Sequence, residues 1–333
     1  MEIIGLKGKN LLNNLIIKRI LSSVLILILL ISLIFFLLRL APGNPVQKFV
    51  SPALSPKLAE KVRTSFSLNK PVTRQYIDFV KNIVTGNFGI SYQQHKPVVD
   101  VIKEYLPFTV IFSFISFLIQ IGFGFLFAFY AFKNKGKFSD ELLSKLSLIL
   151  YSIPAFVLGI LLIYLFSVTI PLFPSADLRS VDFDDLTLIG KIFDYVKHLI
   201  LPLATLSIPG IVIYYKYLRE NLDSVNNKTF INHLRINGFD EKTILKKHII
   251  PNTIGPLISV AGIELGLLLS GALITEVIFS LPGMGRLTVG AILNRDYPLI
   301  IGCTFIAGLL VIITNFLADI IRYKLDKRML KGI

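Results

Sequence analysis

Six long apolar runs organise the chain, at 21–40, 108–132, 142–172, 199–215, 256–280 and 299–321. A helix needs about 20 apolar residues to cross the hydrocarbon core of a bilayer, and each run meets or approaches that length. The first carries no charge until Arg39, and the second has Gln120 as its strongly polar side chain. Pro154 interrupts the third; Pro202 and Pro209 lie in the fourth. The fifth carries Glu264 and Glu276, and the sixth Asp319. The runs are continuously apolar and do not alternate at period two, which predicts helices and not barrel strands. Lys18 and Arg19 ahead of the first run resemble the start of a signal peptide. That run, however, ends in Arg39-Leu40-Ala41-Pro42 with no A-x-A-like cleavage site, so it is expected to remain as a span. The expected fold is all-α, a polytopic membrane protein with six transmembrane helices.

Composition sharpens this picture. Of 333 residues 53% are hydrophobic and 17% charged, and the mean hydropathy is +0.70. Such a chain is neither disordered nor nucleic-acid-binding, although its net charge is +14. The basic residues suit anionic lipid headgroups. They also set an orientation, because short cytoplasmic loops collect Lys and Arg. Lys7, Lys9, Lys18 and Arg19 lie in the tail 1–20, and Lys133, Lys135, Lys137 and Lys145 between the second and third runs. Seven more, from Lys216 to Lys247, lie between the fourth and fifth, and Arg322, Lys324, Lys327, Arg328 and Lys331 in the tail 322–333. The opposite short loops hold only Arg179, Lys191, Lys197, Arg286 and Arg295, and the nine Lys or Arg of 41–105 count little because long loops translocate largely regardless of charge. Both tails are therefore expected on the cytoplasmic side of the cell membrane. The first span is expected at 21–40, a small extracytoplasmic insert at 41–105 and a core of five further spans at 106–321.

Candidate chemistry is sparse. The single cysteine, Cys303, excludes an internal disulfide, and the four histidines show no metal-ligand spacing. The chain has no G-x-x-x-x-G-K-[ST] loop, no H-E-x-x-H and no G-x-S-x-G. No enzyme activity and no cofactor of its own are expected. Glu264, mid-span, either lines a pathway and meets a cationic group or pairs with a structural partner. Glu276, Asp319 and Gln120 suit structural hydrogen bonds within the membrane. The outer acids Asp177, Asp182, Asp184, Asp185 and Asp194 form either a docking surface or a solvated loop.

The stretch 221–252 is too amphipathic for a mere connector. Phe230, Ile231, Leu234 and Ile236 give an apolar stripe, and Gly238 breaks it as a glycine past a helix end does. Asp240 can cap the next helix, on which Ile244, Leu245, His248 and Ile249 share a face. Pro251 is expected to end that helix and Pro256 to open the fifth span. Two short helices hinged at a glycine suit a lever worked by another protein, or an interfacial helix lying on headgroups.

Several motifs then carry a resemblance. They are Ala41-Pro42-Gly43-Asn44-Pro45 after the first run, Gly86-Asn87-Phe88-Gly89-Ile90-Ser91, and Leu273-Ile274-Thr275-Glu276 through Phe279. Pro282-Gly283-Met284-Gly285-Arg286 and Arg295-Asp296-Tyr297-Pro298 complete the set. The chain resembles the inner-membrane permease subunits of binding-protein-dependent ABC importers, in their dipeptide, oligopeptide and nickel branch, and more narrowly the B-type permease. The importer-wide motif E-A-A-x-x-x-G, followed by a proline, falls on Asn232 to Gly238 and on to Pro256. Gly238, His248, Asn252 and Pro256 match the branch; Asn232-His233-Leu234 departs from its small residues. The resemblance implies a type I importer permease-like fold and half of a translocation pathway for peptides, or for nickel or another metal chelate. It implies a second homologous permease, an extracytoplasmic solute-binding protein, and two cytoplasmic ATPases that use ATP and dock on the 230–252 loop. Asn232, His233, Leu234, Gly238, Phe239, Asp240, His248 and Pro256 would then couple to the ATPases. An ion-coupled secondary carrier or a scaffold protein is the rival reading.

Overall fold

The computed structural model describes residues 2–40, 71–270 and 272–325, with side chains from 17 onward and without those of 38–40, Tyr323 and Leu325. The Ala41–Pro45 motif, the 41–70 part of the expected insert and the basic residues Lys327, Arg328 and Lys331 lie outside the described residues. The elements are helices: α1 (Glu2–Leu40), α2 (Val72–Val84), α3 (Val98–Lys133), α4 (Phe138–Ser152) and α5 (Ala155–Ile163). They continue with α6 (Leu188–Asn226), α7 (Thr229–Ile236), α8 (Glu241–Ile244), α9 (Ile250–Leu269), α10 (Leu273–Ile278), α11 (Met284–Leu293) and α12 (Tyr297–Leu325). Among the described residues no strand occurs beyond one isolated antiparallel bridge between Ile90 and Pro97.

Five helical stretches are long and apolar enough to cross a membrane, and counting the bent pair α4–α5 as one broken span makes six. That pair corrects the expected third run. The chain turns by 100° at Ile153–Pro154, because a residue before proline is driven out of the helical region and Ile153 sits at ψ 122°. The fifth run falls, but for its very end, within one apolar helical stretch, Glu241–Ile278, in which α9 ends at Leu269 and the short α10 spans Leu273–Ile278. Neither Pro251 nor Pro256 acts as expected. Glu241 to Leu269 is one continuous helical path with both prolines inside it. A π-helical segment, Leu245–Ile249, lies directly ahead of Pro251, and such a widened turn relieves the clash of a proline ring with the preceding turn. α3 likewise begins at Val98, inside the expected 41–105 insert.

Lipid tails are as apolar as leucine, so helices in a membrane associate through close packing and buried polar contacts. α9 meets α12 on a small-residue seam. A Cβ on Gly262 would stand 2.2 Å from the Ala318 methyl, and one on Gly266 2.7 Å from the Thr314 hydroxyl. α1 is held to α12 by Arg19 and Asp319, 2.6 Å apart. α3 and α6 are joined by Ser116 and Ser207 at 2.8 Å, and by Gln120 donating to the Leu206 carbonyl at 3.2 Å.

Candidate functional site

Two groups of the singled-out residues sit near opposite ends of α3. Thr109 touches one group, while Ala128 and Ala131 belong to the core cluster beneath the other. At 1.5 Å per residue they are about 30 Å apart along the helix.

The first group is built on Glu276, which is fully buried. Its carboxylate accepts from the Thr109 hydroxyl at 2.9 Å, from the Gly285 N–H at 2.6 Å and from the Arg286 N–H at 3.1 Å. The Met284 N–H in turn donates to Thr109 Oγ1 at 2.7 Å. Glu276 thus caps α11 from another helix. It satisfies orphan amides in the first turn and meets the positive end of the helix dipole. The glycines follow from this geometry. A Cβ on Gly283 would stand 2.3 Å from the Glu276 carboxyl, and one on Gly285 2.7 Å from the Leu273 backbone. Pro282 leads into the turn half-buried, and the exposed Arg286 donates to the Ser280 carbonyl. All of these donors point inward, so the arrangement fastens the α10–α11 elbow to α3.

Two motifs far apart in sequence meet beside it. Asp296 is fully buried. It accepts from the Ser91 hydroxyl at 2.6 Å and the Gln93 N–H at 3.0 Å. It also caps α12 through the Leu299 N–H at 3.3 Å. Pro298 is buried in the first turn of α12, where a missing N–H costs nothing. We expect Ser91→Ala, which removes a hydrogen bond to a buried charge, to cost about 1.5–3 kcal/mol. The thermal midpoint of the purified protein would fall accordingly.

The second group is the loop between α6 and α9. Gly238 sits at φ +80°. Around it the Phe239 N–H donates to the Leu234 carbonyl at 3.1 Å and the Gly238 N–H to the Arg235 carbonyl at 3.0 Å, a Schellman closure of α7. The Asp240 side chain accepts from the Thr243 N–H at 3.0 Å and caps α8. Hydrogen bonding from Thr243 holds the Asp240 carboxyl below its ordinary value. Arg235 ties the elbow together, reaching Glu241 at 2.7 Å and Asn226 at 2.7 Å. The expected stripe splits between two faces. Ile231 and Leu234 pack with Ile244 and Ile249 on Tyr214, Leu218 and Leu222. Phe230, Ile236 and Phe239 point outward, with Ile236 80% exposed. Asn232 and His233 are exposed, His248 lies edge-on to the Phe239 ring at 6.5 Å, and Pro256 is half-buried inside α9. The result is a seated elbow with an apolar outer surface.

Between the two groups runs a polar seam in the membrane interior. Leu257, Val260 and Ala261 of α9 pack into the core cluster of Tyr214, and the Leu268 carbonyl accepts from Ser113 of α3 at 2.8 Å. Helical spacing puts Glu264 on that same face. Glu264 is half-buried, and no hydrogen bond or ion pair reaches its carboxylate among the described residues. The buried Tyr214 hydroxyl has no hydrogen-bond partner among the described residues. No three His, Cys, Asp or Glu side chains converge as metal ligands among the described residues. Of the outer acids, Asp194 is buried and clamps Ser180, whose N–H donates at 2.9 Å, whereas Asp177, Asp182, Asp184 and Asp185 are exposed. Thr109 and Tyr214, in apolar runs, carry no sequence signal of these contacts.

Residues 120–331 match the family described as binding-protein-dependent transport system inner membrane component, and residues 12–113 match its N-terminal domain family. The chain is 30% identical over 314 residues to the "Probable peptide ABC transporter permease protein y4tP" of Sinorhizobium fredii, covering 94% of this chain and 98% of that one. It is 31% identical over 315 residues to the oligopeptide transport system permease protein AppB of Bacillus subtilis, again covering 94% and 98%. With its long apolar helices, its buried polar seam and these similarities over nearly its whole length, the chain belongs to the inner-membrane components of binding-protein-dependent transport systems, as a multi-pass ABC importer permease subunit.

Proposed function

We propose that this chain forms half of an ATP-driven import path for peptides and is worked through the elbow at 229–249. A second, similar permease completes the path, two cytoplasmic ATPases dock on the elbow, and an extracytoplasmic binding protein delivers the cargo. Both tails then lie on the cytoplasmic side, and ATP is bound and split by the partners. The observation that carries this reading is the elbow itself. It is braced by Arg235 and seated on the core, and it leaves Phe230, Ile236 and Phe239 exposed on its outer surface. Such a body moves as a unit when pushed, and the helices attached to it change the access of a central path. Of the cargoes the motifs leave open, peptide is the one named in both relatives.

Cysteines placed at Ile236 and Phe239 test the docking, since Cys303 is buried. In the assembled transporter they are expected to cross-link to an ATPase subunit, while a cysteine at the exposed Leu25 in the middle of the first span is not. Labelling of the elbow by lipid-borne reagents, without a link to an ATPase, would make it an interfacial helix instead.

Glu264 supplies the cargo contact in this reading. An unpartnered carboxylate inside a membrane suits the ammonium group of a peptide. Glu264→Gln is expected to raise KM for a peptide with a free amino terminus at least about tenfold, the equivalent of one charge-assisted hydrogen bond. It should leave an N-acetylated peptide unaffected. Equal effects on both peptides would give Glu264 a structural role.

A further inference from the structure

Beyond the elbow, a second charged assembly joins α6 to the bent pair α4–α5. Arg219, one side chain 12% exposed, faces two acids. Its Nη2 and Nε reach Asp140 at 3.1 and 3.4 Å, and its Nη1 reaches Asp223. Lys135 adds an ion pair to Asp223 at 3.0 Å, and the Gly136 N–H donates to Asp140 at 3.1 Å. The guanidinium also lies over the Phe132 ring at 5.9 Å, and Lys216 over Tyr151 at 5.4 Å. The group walls a cavity of about 630 Å³ between the start of α4 and the last turns of α6.

Apart from Leu143, which packs against the Tyr214 core cluster, little else holds α4. Ser147 is its one buried residue, while Leu142, Leu146, Leu148, Ile149 and Tyr151 are exposed. A helix with so narrow an apolar seat depends strongly on its polar ties for its position. Those ties lead to the elbow. One turn beyond Asp223, Asn226 accepts from Arg235 at 2.7 Å, and Arg235 pairs with Glu241. Two polar ties one helical turn apart on α6 therefore reach α7 and α8 on one side and α4 on the other, joined through the α6 backbone.

We infer that Arg219 is a positioning residue that makes the α4–α5 arm follow the elbow, so that the arm moves with the ATPase stroke. The inference rests on ATPase docking at 229–249 but concerns different residues. A guanidinium fork can hold two carboxylates in fixed geometry, which a lysine ammonium cannot. Among the described residues, removing it leaves Asp140 with only the Gly136 N–H and Asp223 with only Lys135, and breaks the side-chain tie between α4 and α6.

The test uses the complete transporter in proteoliposomes, with uptake of a labelled peptide measured per ATP hydrolysed. Arg219→Gln and Asp140→Asn are each expected to lower that ratio about tenfold while ATP hydrolysis continues, a typical size for a coupling between sites. The double variant should fall no further than Arg219→Gln alone, because both remove one contact. Arg219→Lys should lie between. An unchanged ratio in Arg219→Gln, or a double variant whose losses multiply, overturns the proposal. Should Arg219→Gln fail to assemble, Arg219→Lys decides alike, a wild-type ratio overturning the proposal. Gly238→Val measured in parallel separates the two readings. If it uncouples while Arg219→Gln does not, only the relay fails; if neither uncouples, the elbow reading fails with it.

Discussion

Gly238→Val is expected to lower uptake per ATP hydrolysed by about 5–30-fold while leaving the chain in the membrane and the complex assembled. The size follows from the backbone alone. Gly238 sits at φ +80°, where a side chain with a Cβ costs about 1–2 kcal/mol. A Cβ added there meets nothing within 4 Å, so the penalty is strain at the turn and not a clash. The turn closes α7 through the Leu234 and Arg235 carbonyls and sets the angle between α7 and α8. A residue that refuses positive φ reopens that angle and detaches the outward Phe239 and Ile236 from their place. Asn tolerates the left-handed region, so Gly238→Asn should remain close to wild type. Peptide uptake and phosphate release, followed together in proteoliposomes, read the ratio. A wild-type ratio in the valine variant would count against the elbow as a lever.

Glu276→Ala is expected to destabilise the protein by about 3–5 kcal/mol, the scale of breaking a buried charged network. Its carboxylate is the acceptor for Thr109, Gly285 and Arg286. Without it, two amides of the first α11 turn stay buried and unmet. Glu276→Gln is the milder change, because its Oε1 can still accept from both amides while its Nε2 turns to the Thr109 hydroxyl, which must then give up its own donation. Both variants should show a lower thermal midpoint in detergent and less protein in the membrane, in that order of severity. An unchanged midpoint in Glu276→Ala would mean that water or a neighbouring group satisfies the α11 amides.

The hydrophobic runs made the helices and their number legible, because a span is a property of local composition. Local composition says less about breaks. Pro154 reads as an ordinary kink but turns the chain by 100°. Pro251 reads as a stop and is absorbed by a widened turn, which depends on hydrogen-bond slippage over the preceding residues. Gly238 and Asp240 were legible because caps are local. The partners of Asp296 and Glu276 were not, since Ser91 lies 205 residues from Asp296 and Thr109 lies 167 from Glu276. Arg219 reads in sequence as one more cytoplasmic positive charge; Asp223 lies at its i+4 position on the same helix, but only the fold brings Asp140 to it.

The most direct measurement is peptide accumulation in proteoliposomes that hold this chain alone, this chain with the second permease, or the complete transporter with ATPases, binding protein and ATP. The account predicts accumulation against a gradient only in the complete system, and its loss when ATP is withdrawn. Accumulation by this chain without any ATPase would contradict it.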